Sequence, residues 1–507
     1  MNIMTVNAEV TGRYSLFDLL IEDDIFLKIL QPLDLVSLKH LELSSVLLWN
    51  FVKRTKIWKK KFQLAFPDFF ENPLNSDIVQ REKNDHQWDD HYKYKRLSLK
   101  LHNLENNWVN KNYLKKCYNL TEKLGAQHQK VEYIDRNYLL SISPDSFFST
   151  IHSLYDVNKL SVIKQFDPRP KFQVCSVHTN NQLLALFGEP QLDPSTNAES
   201  EYNFLIKVYT LDTFSLVQQS VLLHEADVTP WSQVRICDQH VVLFVSNIQG
   251  KDLNLQQDHE AVQMFKLSDS KFLEHRMKIV LELPVKKYLS MVDFSDKHII
   301  GCRRRETVVE VWDLQAPSRT GDLMKAPLVW SRDISFGNLI KCTCVLLHYP
   351  EVFIGLSDGR CDVWDVQLNT RRRCLRHQVS PSRATFEAVG ANHLIIKKVL
   401  VTEHYVLTLC NSGKIYIWDK HKILGLESSD YFLNEPMWTC KSTNKRNKIV
   451  DCFAENTKIV TVENSDEESF LVTYDFWHSR SSFSSTFSLK RHSLHSSAGT
   501  SKICKFC

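Results

Sequence analysis

The residue patterns that most often mark an active site are absent from this sequence. It contains no glycine-rich phosphate loop, no His-Glu-x-x-His motif and no nucleophile elbow. Cys342-x-Cys344 and Cys504-x-x-Cys507 each lack the second pair of ligands that a zinc site requires. We therefore expect a non-catalytic protein that uses no metal and no other cofactor.

Basic residues beside turns and strand starts indicate binding chemistry instead. Some follow glycine, as in Ser-Asp-Gly before Arg360 and Asn-Ser-Gly before Lys414. Arginines so placed can hold a phosphate or a carboxylate with two parallel hydrogen bonds. The alternative is that exposed turns simply carry charge. The candidate residues are Arg235, Arg303, Arg304, Arg305, Lys341, Arg360 and Lys414.

Length and composition limit the class of protein. A chain of 507 residues is long enough for two or three domains, and 43% hydrophobic and 24% charged residues are ordinary for a soluble protein. A net charge of +4 argues against a nucleic-acid partner bound through bulk charge. No apolar run could span a bilayer, so we expect no membrane partner. The N-terminus lacks a secretory signal, which predicts a cytoplasmic or nuclear protein whose 13 cysteines are mostly buried thiols.

Aromatic-centred strands recur along the sequence and would position the basic residues. Each follows an apolar run, and the clearest copies are separated from it by Ser357-Asp358-Gly359 or Asn411-Ser412-Gly413, which favours a β-hairpin. The copies recur at intervals of 47 to 56 residues. They centre on Tyr155, Tyr209, Phe265, Trp312, Trp364, Trp418 and Tyr474.

The repeat resembles that of WD-repeat proteins, because Trp-Asp ends the copies at Trp312, Trp364 and Trp418. The resemblance implies an all-β propeller over residues 107–480, with seven blades. It also implies that the turns before the aromatic strands share one rim with the starts of the innermost strands. The candidate basic residues would then lie on that rim and bind a target protein, acidic or phosphorylated. The long period, the few glycines and the lack of any Gly-His dipeptide leave an unrelated all-β domain as the alternative.

Closure of a propeller requires a strand from the other end of the domain, because an open sheet edge promotes aggregation. Residues 107–117 are the best candidate in the sequence. We predict that they pair with the last blade, outside residues 470–476.

Residues 15–64 carry more apolar surface than three short helices can bury among themselves. Leu20 to Lys61 resembles the F-box, with Ile21 in place of its usual proline. The first helix of this segment should end at Pro32. The matching positions are Leu20, Glu22, Ile29, Leu30, Leu33, Asp34, Leu38, Leu41, Ser44, Trp49, Trp58 and Lys59.

The F-box resemblance implies docking onto the Skp-type adaptor of a cullin–RING ubiquitin ligase. An apolar helical face would then insert into a groove of the adaptor. The alternative is a small helical cap on the following domain. The residues expected to contact the adaptor are Leu20, Ile21, Ile25, Ile29, Leu30, Leu33, Leu38 and Leu41.

Two further segments complete the predicted organisation. Residues 65–106 form a linker with an amphipathic helix, in which Leu97, Leu101 and Leu104 share one face. Residues 481–507 are rich in serine and basic residues and should be largely disordered. The final Cys-Lys-Phe-Cys is a poor prenylation signal, because Lys505 is not aliphatic.

Together these features predict the substrate-recognition subunit of a Skp–cullin–F-box ubiquitin ligase, which presents a target for ubiquitination and proteasomal degradation. One alternative is a scaffold that assembles other proteins without ubiquitin transfer. Another is a propeller that binds nucleic acid or phosphoinositides through its basic rim.

Overall fold

The computed structural model has a helical N-terminal region followed by a β-propeller. The propeller consists of antiparallel sheets that follow one another along the chain. The structure describes residues 28, 30, 32–44, 46–66, 69, 78, 90–120, 122, 130–135, 138–143, 150–156, 161–165, 172–180, 182–190, 204–211, 213, 215–222, 232–237, 240–245, 260–267, 273–281, 289–303, 307–320, 323–334, 340–377, 394–425, 432–433, 435–442, 444, 446–465 and 468–477.

Helices precede the sheets in the described part of the chain, and one short helix lies within the propeller. Their bounds are α1 (Leu35–Ser44), α2 (Val46–Arg54), α3 (Ile57–Ala65), α4 (Asp90–Asn110) and α5 (Lys420–Leu424).

The apolar run from Val46 to Trp58 does not form one continuous helix. The run is divided between α2 and α3. Lys56 lies between them in a left-handed conformation with φ of 53°, which a right-handed helix cannot contain.

The described strands form seven sheets, each built on four antiparallel strands. The first sheet contains β2 (Lys130–Asp135), β3 (Tyr138–Ser143), β4 (Thr150–Asp156) and β5 (Ser161–Gln165). The second contains β6 (Phe172–Thr179), β7 (Leu183–Pro190), β8 (Phe204–Thr210) and β9 (Leu216–Leu222). The third contains β10 (Gln233–Cys237), β11 (His240–Val245), β12 (Glu260–Lys266) and β13 (Glu274–Leu281).

The later sheets repeat this arrangement. The fourth sheet contains β14 (Leu289–Phe294), β15 (His298–Arg303), β16 (Val308–Asp313) and β19 (Leu328–Asp333). The fifth contains β20 (Cys342–His348), β21 (Glu351–Leu356), β22 (Arg360–Asp365) and β23 (Thr370–Arg376). The sixth contains β24 (Ile396–Val401), β25 (Tyr405–Cys410), β26 (Lys414–Asp419) and β28 (Trp438–Lys441). The seventh contains β29 (Lys448–Ala454), β30 (Lys458–Asn464), β31 (Ser469–Asp475) and β1 (Leu114–Asn119).

Two sheets gain extra strands that the repeat does not predict. A hairpin of β17 (Ser318–Thr320) and β18 (Leu323–Lys325) adds to the third sheet, where β18 pairs with β13 in parallel. The short strand β27 (Phe432–Leu433) pairs with β23 in parallel. These additions cover outer edges that would otherwise expose unpaired backbone groups.

The aromatic residues of the sequence repeat occupy equivalent places in the sheets. Trp312, for example, lies in β16 opposite Ile299 of β15, and Trp418 lies in β26 opposite Val406 of β25. Each aromatic strand pairs with the apolar strand predicted to precede it. The predicted hairpins are therefore confirmed.

The core lies between consecutive sheets. Apolar side chains of the second and third sheets form one cluster, and similar clusters join the third to the fourth, the fourth to the fifth and the fifth to the sixth. Trp312 and Trp418 are each only 1% exposed within these clusters. The aromatic repeat thus supplies the large side chains that fill the spaces between sheets.

A hydrogen-bonded group joins the fifth and sixth sheets. His377, which follows β23, shares a hydrogen bond of 2.8 Å between its Nε2 and Oγ1 of Thr408. The same hydroxyl accepts a hydrogen bond of 3.0 Å from Nε1 of Trp418. His377 is 2% exposed and stacks on Tyr416 with 3.9 Å between ring centroids. Burial lowers its pKa to about 3, so this imidazole is neutral.

Strand β1 joins the N-terminal side of the propeller to its last sheet. It pairs antiparallel with β31, from Leu114 opposite Asp475 to Asn119 opposite Phe470. The predicted closing strand is therefore confirmed, but it begins later than residue 107, because α4 continues through Asn110.

Trp108 joins the helical region to the propeller. It is fully buried and lies between Phe476 and Tyr405, with ring centroids 4.0 and 4.5 Å away. Its Nε1 donates a hydrogen bond of 2.8 Å to the carbonyl of Asn456. One apolar cluster extends from Leu30 through α4 to the sixth and seventh sheets, so the two regions share a core.

Candidate protein-binding surfaces

The first candidate surface is the helical region. Glu42 of α1 is 2% exposed and pairs with Lys95 of α4 at 2.5 Å. It also accepts a hydrogen bond of 3.3 Å from Nε1 of Trp58. Phe62 of α3 contacts Tyr94 of α4, with 5.4 Å between ring centroids. Helix α4 therefore covers one face of the preceding helices and leaves another face outward.

The structure distributes the predicted adaptor-binding residues between the core and the surface. Leu30 and Leu38 are fully buried, so in this conformation they stabilise the helical region instead of contacting a partner. Leu33 and Leu41 are half-buried and lie at the edge of the same core. The remaining predicted residues, Leu20, Ile21, Ile25 and Ile29, lie outside the described residues.

Two leucines of the helical region are exposed. Leu43 is 54% exposed and Leu64 is 72% exposed. Leu43 lies two residues after Leu41 in α1. Its exposure could not be read from the sequence, because the position of α4 decides which face of α1 is covered.

The second candidate surface is the rim formed by the turns before the aromatic strands. Ser357 donates its backbone N–H to the carbonyl of Lys341 at 2.9 Å, and Lys341 donates its own N–H to Oγ of Ser357 at 2.9 Å. In the sixth sheet, Asn411 donates its N–H to the carbonyl of Ile395 at 2.7 Å. In both sheets the predicted turn therefore lies beside the start of the innermost strand.

Glycines allow these turns to approach the neighbouring sheet. Gly359 and Gly413 have φ of 85° and 75°, a conformation that other residues rarely adopt. A Cβ atom on Gly413 would lie 2.8 Å from the backbone nitrogen of Ile449, at the start of β29. The rim is therefore continuous from the sixth sheet to the seventh.

Two of the predicted anion-binding arginines already hold carboxylates of their own hairpins. Arg303 forms a two-pronged pair with Glu310, in which Nε lies 2.7 Å from Oε2. Arg360 donates from Nε to Oδ2 of Asp358 at 2.5 Å. Each guanidinium thus already pairs with a carboxylate of its own hairpin, and a ligand would have to compete with that carboxylate.

Arg235 has a similar internal role. Its guanidinium pairs with Asp293, donates a hydrogen bond of 2.8 Å to the carbonyl of Phe294, and lies 5.0 Å from the centre of that phenyl ring. Asp293 is 3% exposed and also accepts a hydrogen bond of 2.6 Å from the backbone of Leu347. The pair joins the third, fourth and fifth sheets.

Lysines provide the more accessible charge on this rim. Of the predicted residues, Lys341 is exposed and Lys414 is half-buried. Lys397 and Lys448 are also exposed, at the starts of β24 and β29, and were not predicted. Their position beside the innermost strands is the signal that could have identified them. Arg304 and Arg305 lie outside the described residues.

The cysteines and potential metal ligands show no catalytic arrangement within the described ranges. No group of three or more His, Cys, Asp or Glu residues there could hold a metal ion. Six of the described cysteines are buried free thiols: Cys302, Cys361, Cys374, Cys410, Cys440 and Cys452. Burial raises the pKa of the Cys374 thiol to about 12, which disfavours the nucleophilic thiolate.

Comparison with known proteins does not identify a family. No protein-family model and no curated protein matches the sequence. The computationally designed Ika8 protein aligns with 68% of this chain and 82% of its own, at 13% identity and a TM-score of 0.40. BamB from Moraxella catarrhalis aligns with 71% of this chain and 99% of its own, at 8% identity and a TM-score of 0.39. Neither likeness is close enough to bear on function.

The helices do not resemble membrane spans. Within the portion that the structure describes, none combines the length and the apolar character needed to cross a bilayer.

Proposed function

We propose that this chain is the substrate-recognition subunit of a Skp–cullin–F-box ubiquitin ligase in the cytoplasm or nucleus. The helical region docks onto the Skp-type adaptor, and the propeller binds a target protein for ubiquitination and proteasomal degradation. The chain itself performs no bond chemistry. Its contribution is to raise the effective concentration of the target near the conjugating enzyme.

The observation that carries this proposal is the shared core at Trp108. This side chain is fully buried between α4 and the propeller, and it contacts both Tyr405 and Phe476. A receptor of this kind must hold its target at a fixed position relative to the ligase. A rigid connection meets that need better than a flexible linker does.

In the proposed complex, the adaptor contacts the outward face of the helical region. Leu33, Leu41 and Leu43 are the described residues that we assign to this contact. The predicted contacts Leu20, Ile21, Ile25 and Ile29 lie outside the described residues. Burial of one such leucine contributes about 1.5–3 kcal/mol, so a few of them are sufficient for stable docking.

We further propose that the seven sheets are the blades of one closed ring. Two features support this count: β2 of the first sheet lies against β29 of the seventh, and β1 closes the seventh sheet from the N-terminal side. The ring would then present one continuous rim to the target.

The target is proposed to be acidic or phosphorylated where it meets this rim. Lys341, Lys397 and Lys448 are exposed and Lys414 is half-buried near the starts of strands in the fifth to seventh sheets. They would attract a negatively charged segment, and Arg304 and Arg305 would add to this charge if the target reaches the fourth sheet.

Co-elution with a Skp-type adaptor tests the proposal. The wild-type chain should bind the adaptor, and the double variant Leu33→Asp with Leu43→Asp should lose binding. Leu216→Asp is the matched control, because Leu216 is 47% exposed on the outer strand of the second sheet. Thermal unfolding would establish that all variants are folded. Equal adaptor binding by the double variant, or no binding by the wild type, would exclude the ligase assignment.

A scaffold without ubiquitin transfer is the second candidate function. The complete burial of Leu30 and Leu38 favours it, because a helical cap on the propeller would bury its leucines in this way. The adaptor experiment separates the two candidates, since a scaffold would retain other partners while failing to bind the adaptor.

A further inference from the structure

A cavity of about 1070 Å³ lies between the helical region, α4 and the propeller. His404 and Asn456 line it from the sixth and seventh sheets, and Leu33 and Phe69 line it from the helical side. His404 belongs to the turn between β24 and β25, at the opposite end of those strands from the 411–413 turn. The cavity is therefore separate from the basic rim. Its volume is close to the upper limit for sites that bind small molecules.

One wall of the cavity is apolar and aromatic. Leu35, Phe66, Phe69 and Leu101 lie along it. Phe66 and Phe69 meet edge to face, with 6.1 Å between ring centroids. A flat apolar group would bury its surface against these side chains.

The other wall contains a buried polar group without a partner. Ser98 of α4 is 1% exposed and lines the cavity. Its Oγ has no hydrogen-bond partner among the residues that the structure describes. Because an unsatisfied buried hydroxyl is unfavourable, it favours a ligand that supplies a hydrogen bond.

The charged groups of the cavity favour a cation. Asp34, Glu105 and Glu403 contribute carboxylates to its lining, and Lys61 contributes an ammonium group. Lys61 donates a hydrogen bond to the carbonyl of Leu33, so its ammonium is directed toward the backbone. Burial lowers the pKa of His404, which keeps that ring neutral at physiological pH.

The spacing of two groups on α4 fixes the shape of the ligand. Ser98 and Glu105 are seven residues apart and both line the cavity, so they lie on one helix face at a distance of about 10 Å along the axis. A ligand that reaches both would carry a polar group at one end and a positive charge at the other.

We propose that this cavity binds a small aromatic amine with a hydrogen-bonding group opposite its ammonium. The polar end hydrogen-bonds to Ser98, the ring packs against the apolar wall, and the ammonium pairs with Glu105. Glu105 is exposed, so the ammonium remains partly hydrated. This site is separate from the rim proposed to bind the target, and it shares Leu33 with the proposed adaptor-binding face.

Calorimetric titration of the full chain with four matched compounds tests this assignment. Tyramine carries both polar groups, phenethylamine lacks the hydroxyl, tyrosol lacks the charge, and 4-hydroxyphenylacetate reverses it. Tyramine should bind most tightly and 4-hydroxyphenylacetate most weakly. Equal binding of these two compounds, or no binding of tyramine, would overturn the proposal.

Two variants test which residue contacts each end of the ligand. Ser98→Ala should weaken tyramine binding by about fivefold and leave phenethylamine unchanged, because only tyramine has a group for that hydroxyl. Glu105→Gln should weaken both amines by about fivefold and leave tyrosol unchanged. Glu122→Gln is the matched control, since Glu122 is exposed and does not line the cavity. If Ser98→Ala weakened all four compounds equally, the hydroxyl would not be the contact that we assign.

Discussion

The helical region and the propeller depend on contacts of very different sequence separation. In the propeller, β25 and β26 pair across a turn of three residues, 411–413. In the helical region, Trp108 bonds to Asn456, which lies 348 residues later. Asn107 likewise donates from Nδ2 to the carbonyl of Phe476 at 2.8 Å.

This difference in sequence separation indicates where each region obtains its stability. A hairpin of the propeller forms from neighbouring residues and needs other sheets only to cover its faces. The helices are short, and isolated helices of this length are marginal in water. Their stability must therefore come from α4 and from the last two sheets.

Substitution of Trp108 should have the largest effect, because it removes the contact between the two regions. We expect Trp108→Ala to lower the free energy of unfolding by about 3–5 kcal/mol. Urea denaturation followed by circular dichroism would measure the change. Val109→Ala is the control, since Val109 is 55% exposed and should change stability by less than about 0.5 kcal/mol. A normal stability for Trp108→Ala would show that the two regions do not depend on this side chain.

Substitution of Asp293 should have the next largest effect, and it acts within the propeller alone. Asp293→Ala removes the carboxylate that pairs with Arg235 and the acceptor of the backbone N–H of Leu347. We expect a loss of about 3 kcal/mol, measured by the same denaturation.

The matched control for that variant is Asp296→Ala. Asp296 lies 3.7 Å from Nδ1 of His240 in a more exposed pair, so we expect a loss below about 1 kcal/mol. Equal effects of the two alanine variants would show that the contact between three sheets is energetically unimportant.

Acid should weaken the propeller through His377. Burial lowers its pKa to about 3 in the folded protein, whereas the unfolded chain takes up the proton near ~6.5. The stability that neutral His377 contributes to the folded protein is fully present above pH ~6.5 and is lost as the pH falls toward 3. At pH 5 the loss should be about 2 kcal/mol.

The measurement is the slope of unfolding free energy against pH in wild type and His377→Gln. The slope should be shallower in the variant. It should not fall to zero, because burial also lowers the pKa values of His298, His348 and His404, which contribute to the same slope. Identical slopes for wild type and His377→Gln would contradict the assignment.

Substitution of Gly413 should have the smallest effect, because it disturbs one turn of the rim. Gly413→Ala combines an unfavourable φ of 75° with contacts of 2.6 Å to Lys448 Cγ and 2.8 Å to Ile449 N. We expect a loss of about 1–2 kcal/mol in thermal or urea unfolding.

Gly413→Asn separates the two causes of that loss. Asparagine tolerates a positive φ but carries the same Cβ atom. If the close approach to β29 dominates, both variants should lose similar stability. Recovery of stability in Gly413→Asn would assign the effect to the backbone conformation instead.

The sequence predicted those parts of the fold that depend on local contacts. Trp312, Trp364 and Trp418 mark strands whose partners lie a few residues earlier, so their hairpins followed from composition and turn chemistry. The pairing of β1 with β31 was also predictable, because a propeller must protect its edges. The parallel additions β18 and β27 were missed, since nothing in the short segments distinguishes them from loops.

The candidate sites were less predictable, because they depend on charges from elsewhere in the fold. The pairing of Arg303 with Glu310 could have been found, since both lie in the hairpin of β15 and β16. The pairing of Arg235 with Asp293 joins different sheets and leaves no local signal. The burial of Leu38 was hidden for the same reason, as it depends on how α4 packs.

Strand β1 also has a consequence for how the protein is made. Its partner β31 is among the last described segments to leave the ribosome, whereas β1 is among the first strands to emerge. While the intervening sheets are synthesised, the backbone groups of β1 that later pair with β31 have no partner. A nascent chain that stalls before Ser469 would contain nearly all of the sheets and still expose this edge, which makes it a substrate for chaperones.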